Sequence, residues 1–194
     1  FSGSALKVIA MISMVIDHIA LYLMEHGTLL YETMRCIGRI AFPVFAFLIA
    51  EGFIHTRSRY RYFFTLLGFA VISEIPWYLL NGADGTHNVM FTLALGVATL
   101  MVLENLLQRS LIQGFLWTLG MAGLASWLGV DYEWRGILVI VIFYLFKEYG
   151  DSFPYSRGMQ FFCTFTLMMY YGITGMLLAH FVISRYDGTR GFIH

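Results

Sequence analysis

The chain is poor in charge. Among 194 residues only twelve are Lys or Arg and twelve are Asp or Glu, so 12% of the chain is charged and the net charge is +0. A neutral chain with no basic tract lacks the electrostatic footprint of a nucleic-acid partner. Cysteine is scarce too. Cys36 and Cys163 both lie in apolar runs without metal-ligand spacing, so they read as small hydrophobes and leave the redox compartment open. There is no nucleophile elbow, P-loop, zincin motif or dinucleotide fingerprint, and no metal is expected. No repeat or low-complexity tract interrupts the chain, and one domain over residues 1–194 is the economical organisation. Residue 1 is Phe, and the chain is expected to be a piece of a longer protein. A signal peptide is the wrong reading of its start, because the first apolar run is too long and others follow.

What the chain has is apolar length. It is 59% hydrophobic and 18% aromatic, with a mean hydropathy of +0.71. Apolar segments of about 16 to 25 residues recur between short polar loops. They fall near residues 5–24, 36–55, 60–80, 89–107, 111–128, 136–146 with flanks, and 159–183. The expected fold is all-α: a polytopic transmembrane helix bundle of about seven spans, with one further span beyond the C-terminus. Lys7, Arg57, Arg59, Arg61, Arg109, Lys147 and Arg157 gather on one side of this topology, with Arg35 and Arg135 as exceptions. The bias puts the N-terminus in the cytoplasm and His194 outside. Pro43 and Pro76 fall in or near the ends of spans two and three, where each removes a backbone donor. Gly120, Gly123 and Gly129, with Ala122 and Ala125, suggest close packing of span five, and Gly172 and Gly175 of span seven.

Ionisable groups within apolar runs mark candidate sites. Asp17 and His18 are adjacent in span one. Depth estimates at about 1.5 Å per residue bring Arg39 and Glu74 to a similar level, with Arg35, Asn88 and His180 as further members. His18 is the general-base candidate, Asp17 its orienting acid, and Arg39 a group for an oxyanion or a substrate carboxylate. The alternative is a structural ion pair, Asp17–Arg39 or Glu74–Arg39. His180 also reads as a hydrogen-bonder near a helix end. A second set lies at the cytoplasmic mouth: Glu51 and His55 at i, i+4, then Arg57, Arg59 and Arg61. Guanidinium groups there suit the phosphates of a nucleotide-type cofactor. Topology signalling and anionic-lipid contact are the favoured explanation on sequence physics alone.

Several motifs then resemble one family. Ser2-Gly3-Ser4-Ala5-Leu6-Lys7 leading to Ile16-Asp17-His18-Ile19 resembles the start of the TraX family of membrane proteins. Arg39-Ile40-Ala41-Phe42-Pro43-Val44-Phe45 with Glu51-Gly52-Phe53 and His55-Thr56-Arg57 resembles its second span. Ile72-Ser73-Glu74-Ile75-Pro76, Asn88-Val89-Met90-Phe91-Thr92-Leu93 and Asp131-Tyr132 before Arg135-Gly136-Ile137-Leu138 follow in the family's order. The family takes its name from a protein that acetylates the N-terminus of conjugative pilin. The resemblance implies an integral-membrane acyltransferase of the bacterial inner membrane, with acetyl-CoA as donor. Its acceptor would be an amine or hydroxyl of a small molecule, a glycan or a protein N-terminus such as that of pilin.

In this reading His18, Asp17, Arg39 and Glu74 are catalytic. Glu51, His55, Arg57, Arg59 and Arg61 hold the donor, and Arg35, Asn88 and His180 hold the acceptor. Two other functions remain open. A proton-coupled transporter would use Asp17, Glu51 and Glu74 as relays. A non-catalytic assembly factor would have Asp17, His18 and Arg39 all paired and sealed from any cavity.

Overall fold

The computed structural model describes residues 1–82, 84–152 and 154–192. His194, and Ala83 within the expected loop over residues 81–88, lie outside the described residues. The structure is all-α, with helices α1 (Gly3–Leu23), α2 (Leu29–Gly38), α3 (Ala41–His55), α4 (Arg59–Asn81), α5 (Val89–Arg109), α6 (Leu111–Trp127), α7 (Glu133–Tyr149), α8 (Ser156–Met168) and α9 (Ile173–Ser184). Short polar side chains start four of these. Ser2, Thr28, Ser58 and Asn88 each accept a bond from a backbone N–H of the first turn of α1, α2, α4 and α5, satisfying donors that a helix start leaves open.

Four segments are long and apolar enough to cross a membrane: Gly3–Leu23, Leu29–His55, Arg59–Asn81 and Val89–Arg109. They coincide with the first four expected spans. Of the α4 residues only Ala70 is buried, while Phe64, Phe69, Ile72, Ile75 and Leu79 are exposed. An exposed apolar face of this extent is that of a helix long and apolar enough to cross a membrane. Helices α6 and α7, of 17 residues each, measure about 25 Å, less than the roughly 30 Å hydrocarbon core.

Two expected spans are not single helices. The second begins earlier, at Leu29, and breaks between α2 and α3 at Arg39 and Ile40. Pro43 explains the break. It has no N–H for the Arg39 carbonyl, and its ring crowds that carbonyl, so the α2 ladder stops and Pro43 sits in the first turn of α3. Pro76, by contrast, lies inside α4 without ending it. Residues 159–183 are likewise two helices, α8 and α9. A 3-10 turn over Met169–Tyr171 and Gly172 at φ 136° separate them. That backbone conformation disfavours a residue with a Cβ, and it ends α8.

The chain divides into two compact units. Residues 1–48 and 155–194 form one, in which α2 packs on α1 and α9, and α8 packs on α9. Residues 49–154 form the other, in which α5 packs against α4, α6 and α7. Its core includes Phe53, Val97, Leu100, Ile137, Ile140 and Phe143. Two of the glycines expected to bring α6 close to a neighbour do not: a Cβ at Gly120 or Gly123 would meet nothing. Ala122 and Ala125, expected with them, do lie on the packed face of α6 beside Thr118 and Met121, and Gly129 makes a close approach, the Gly85 carbonyl oxygen 2.7 Å from where its Cβ would stand. Gly175 of α9 does mark a close approach, with the Cys36 carbonyl 2.7 Å from where its Cβ would stand.

Candidate functional site

In the first unit, Asp17 leaves the middle of α1 and meets α2. Its Oδ2 accepts a bond from Arg35 NH1 at 2.6 Å, with side chains 19% and 16% exposed. The partner of Asp17 is therefore Arg35, one turn before the Arg39 expected from the sequence. Gly38 makes this geometry available, since a Cβ there would run into the Asp17 carboxyl group. Asp17 Oδ1 is buried without a hydrogen bond.

His18 is not oriented by Asp17. Its Nδ1 donates to the Met14 carbonyl at 2.8 Å, one helical turn back. That bond places the ring proton on Nδ1 and leaves the Nε2 lone pair, in the neutral ring, without a partner among the described residues. His18 is half-buried. His180 has the same anchor, donating from Nδ1 to the Met176 carbonyl at 2.9 Å, but its Nε2 lies 2.6 Å from the Thr164 hydroxyl. Both ring nitrogens of His180 are thus engaged, Nδ1 within α9 and Nε2 in joining α9 to α8.

Arg39 caps the C-terminus of α2. Its guanidinium carbon lies 5.9 Å from the centroid of the Tyr171 ring, and it makes no ion pair among the described residues. Arg35 and Arg39 both line an open pocket of about 310 Å³ between α2 and the start of α9. Tyr31, Glu32, Cys36, Tyr171 and Thr174 complete its walls, and Cys36 Sγ donates to Thr174 Oγ1 at 3.0 Å. Tyr31, Glu32, Tyr171 and Thr174 escaped the sequence reading. A usable signal was the spacing Glu32, Arg35, Cys36, Arg39, which places all four on one helix face.

In the second unit, Glu74 binds the entrance of α5. Its Oε1 lies 2.5 Å from His87 Nδ1, and its Oε2 accepts from Asn88 Nδ2 at 2.6 Å. Asn88 also donates to the Ala70 carbonyl at 2.9 Å and caps α5 through Oδ1. Every polar atom of the Asn88 side chain serves the α4–α5 connection. Nearby, the Thr86 backbone N–H and hydroxyl donate to Asp84 Oδ1 at 2.9 and 2.7 Å. These bonds hold the Asp84 carboxyl below the usual carboxylate range.

At the α3–α4 turn, Glu51 is buried and paired with Lys147 Nζ at 3.2 Å. His55, largely exposed, donates from Nδ1 to the Glu51 carbonyl at 2.9 Å. Arg59 forms a two-bond pair with Glu104 and stacks on Phe53, its guanidinium carbon 4.7 Å from the ring centroid. This engagement takes Arg59 out of the expected set of free cations. Arg57 and Arg61 are exposed, make no side-chain bond among the described residues, and line a second open pocket of about 270 Å³ with Thr56, Ser58 and Tyr62.

Comparison with known proteins gives these residues a family. The family model described as "TraX protein" matches residues 2–188. Among curated proteins, "Probable fimbrial assembly protein FimC, serogroup H1" of Dichelobacter nodosus is 38% identical over 136 residues, 64% of this chain and 55% of that protein. "Uncharacterized protein RP591" of Rickettsia prowazekii (strain Madrid E) is 34% identical over 142 residues, 72% of this chain and 52% of its own. The chain spans about half the length of these relatives. No solved structure gives a significant match. With its family model covering nearly the whole chain, this all-α protein with four membrane-length apolar helices belongs to the TraX family of membrane proteins.

Proposed function

We propose that the protein is an integral-membrane acyltransferase that moves an acetyl group from acetyl-CoA to an amine or hydroxyl. The observation that carries this reading is the imidazole of His18. It sits within a membrane-length helix with Nδ1–H held by a carbonyl and its Nε2 lone pair uncommitted. That is the protonation state and geometry a general base needs. Acetyl-CoA, when bound, supplies the acetyl group as a thioester. His18 Nε2 takes the proton of the attacking amine or hydroxyl as the new C–N or C–O bond forms and the C–S bond breaks. The proton then passes to the departing thiolate. Asp17 acts through Arg35, holding it at the α2 pocket, and Arg39 supplies positive charge there.

Arg57 and Arg61 fit the phosphates of the donor, because both guanidinium groups are uncommitted at an open pocket. The remaining topology follows the charge bias: N-terminus in the cytoplasm, bacterial inner membrane, and seven spans. Helices α6 and α7 would cross as short spans, and α8 and α9 together as one interrupted span. The acceptor is a small molecule, a glycan or a protein N-terminus. A fimbrial subunit fits the printed name of one relative.

The assembly-factor reading needs Asp17, His18 and Arg39 paired and closed off. Arg39 beside an open pocket speaks against it. The test is acetyl transfer, or acetyl-CoA hydrolysis, by purified wild type and His18→Ala, each checked for folding by circular dichroism. The variant should lose about 100-fold or more in turnover. Equal turnover would remove His18 from the chemistry.

A further inference from the structure

The pocket between α2 and α9 carries charges of both signs that do not neutralise each other. Glu32 and Arg39 lie on one face of α2, seven residues apart. Their Cα atoms are therefore separated by about 10 Å along the axis. Neither side chain has an ion-pair partner among the described residues. Arg35, between them, is already answered by Asp17 at 2.6 Å. Arg39 is thus the uncompensated cation of the pocket and Glu32 its uncompensated anion. Glu32 is exposed in the first turn of α2, whereas Arg39 is half-buried further into the membrane-length segment, where an unanswered cation is costly.

The walls between the two charges are amphipathic. Tyr31 and Tyr171 bring ring faces and hydroxyls, and Thr174 brings a hydroxyl. Room for the Arg39 side chain comes from Gly175, where a Cβ would collide with it. The cavity of about 310 Å³ lies at the small end of the range for organic ligands.

We infer that this pocket is a binding site for a zwitterionic amino-acid or short peptide ligand, its carboxylate on Arg39 and its ammonium toward Glu32. This rests on the acyltransferase reading only in that such a ligand belongs to the amine-bearing acceptor class. Recognition of two opposite charges at a set separation selects against fatty acids, neutral sugars and polyphosphates. Aromatic walls select for an apolar or aromatic side chain between the charges.

The test uses the full chain in detergent micelles and glycyl-tyrosine as probe, with its C-terminal amide and its N-acetyl form as single-charge controls. Binding is read by calorimetry or saturation-transfer NMR. Wild type should bind the free dipeptide at least about tenfold more tightly than either control, the scale of a charged hydrogen bond. Arg39→Gln should abolish the preference over the amide and keep the preference over the N-acetyl form. Glu32→Gln should do the reverse. Equal binding of all three probes by wild type overturns the inference without any variant, and so does a preference that survives its own substitution. Charge-selective binding together with turnover indifferent to His18→Ala would leave the pocket standing and sink the acyltransferase reading. His18-dependent turnover without charge selection would do the opposite.

Discussion

The pairing of Asp17 with Arg35, rather than with Arg39, makes a quantitative prediction about how α1 holds α2. An ion pair in water contributes about 0.2–1 kcal/mol, and removing one partner of a fully buried pair costs about 3–5 kcal/mol. The pair here lies between those limits, with side chains 16% and 19% exposed and a 2.6 Å bond. A charged hydrogen bond in such a setting contributes about 1.5–3 kcal/mol. The lower part of that range is expected, because Asp17 Oδ1 is buried with no donor to offset its desolvation. Asp17→Ala and Arg35→Ala should each destabilise, and the double variant should fall short of their sum by about 2 kcal/mol. The assay is reversible unfolding in mixed micelles with increasing SDS, run on all four proteins. A second cycle, Asp17→Ala with Arg39→Ala, should be additive to within about 0.5 kcal/mol, as for residues that share no bond. A coupling below about 0.5 kcal/mol in the first cycle, or a large one in the second, would refute the assignment.

Further outcomes follow from other contacts in the structure. Gly175→Ala should destabilise by about 1–2 kcal/mol, since its Cβ meets the Arg39 side chain and the Cys36 backbone and overpacking outweighs the helix-propensity gain. Gly120→Ala, which opens onto empty space, should be neutral or stabilising in the same unfolding assay. Thr86→Val removes one of the two donors that lower the Asp84 carboxyl. The Asp84 contribution is present above its ordinary value of 3.8 and is lost as pH falls below it. Unfolding midpoints measured across pH 5 to about 2 should therefore slope less in the variant than in wild type, and identical slopes would count against the bond. In a transfer assay, Arg57→Ala with Arg61→Ala should raise the KM for acetyl-CoA by about tenfold with little change in kcat, the pattern of lost uniform binding. Arg59→Ala should instead lower stability, because its guanidinium is committed to Glu104.

How much of this was legible in the sequence depends on what each residue needed. Helix α1 and helices α4 to α7 could be read from apolar length, and the starts of α1, α4 and α5 from Ser2, Ser58 and Asn88 at cap positions. The break after Arg39 could have been read from Pro43, whose effect falls four residues upstream rather than at the proline. The division of residues 159–183 depended on the φ of Gly172, and glycine in an apolar run is equally at home in a packed helix. The same ambiguity misled for Gly120 and Gly123. Small residues permit a close approach but do not choose which face makes it, and in α6 that face is set by Ala122 and Ala125.

Depth along a span could be estimated from the sequence, but the partner at that depth could not. Asp17 lies within reach of two arginines a turn apart, and the choice between them turned on Gly38, which clears the line to Arg35. The histidines make the same point chemically. His18 and His180 both return Nδ1–H to the carbonyl four residues back, a local bond any helical histidine can make. What separates them is on the other nitrogen: Thr164 from a neighbouring helix occupies it in His180, and no described residue occupies it in His18. Among the arginines, Arg35 and Arg59 are answered by carboxylates from other helices, while Arg39, Arg57 and Arg61 are not. Arg57 and Arg61 are exposed and keep their hydration, whereas Arg39, like His18, is half-buried in a membrane-length segment, where an unanswered polar group is costly. The contrast between committed and uncommitted groups of the same type leaves His180, Asn88 and Arg59 to the fold, and it is on the uncommitted His18 and Arg39 that the proposed chemistry and recognition rest.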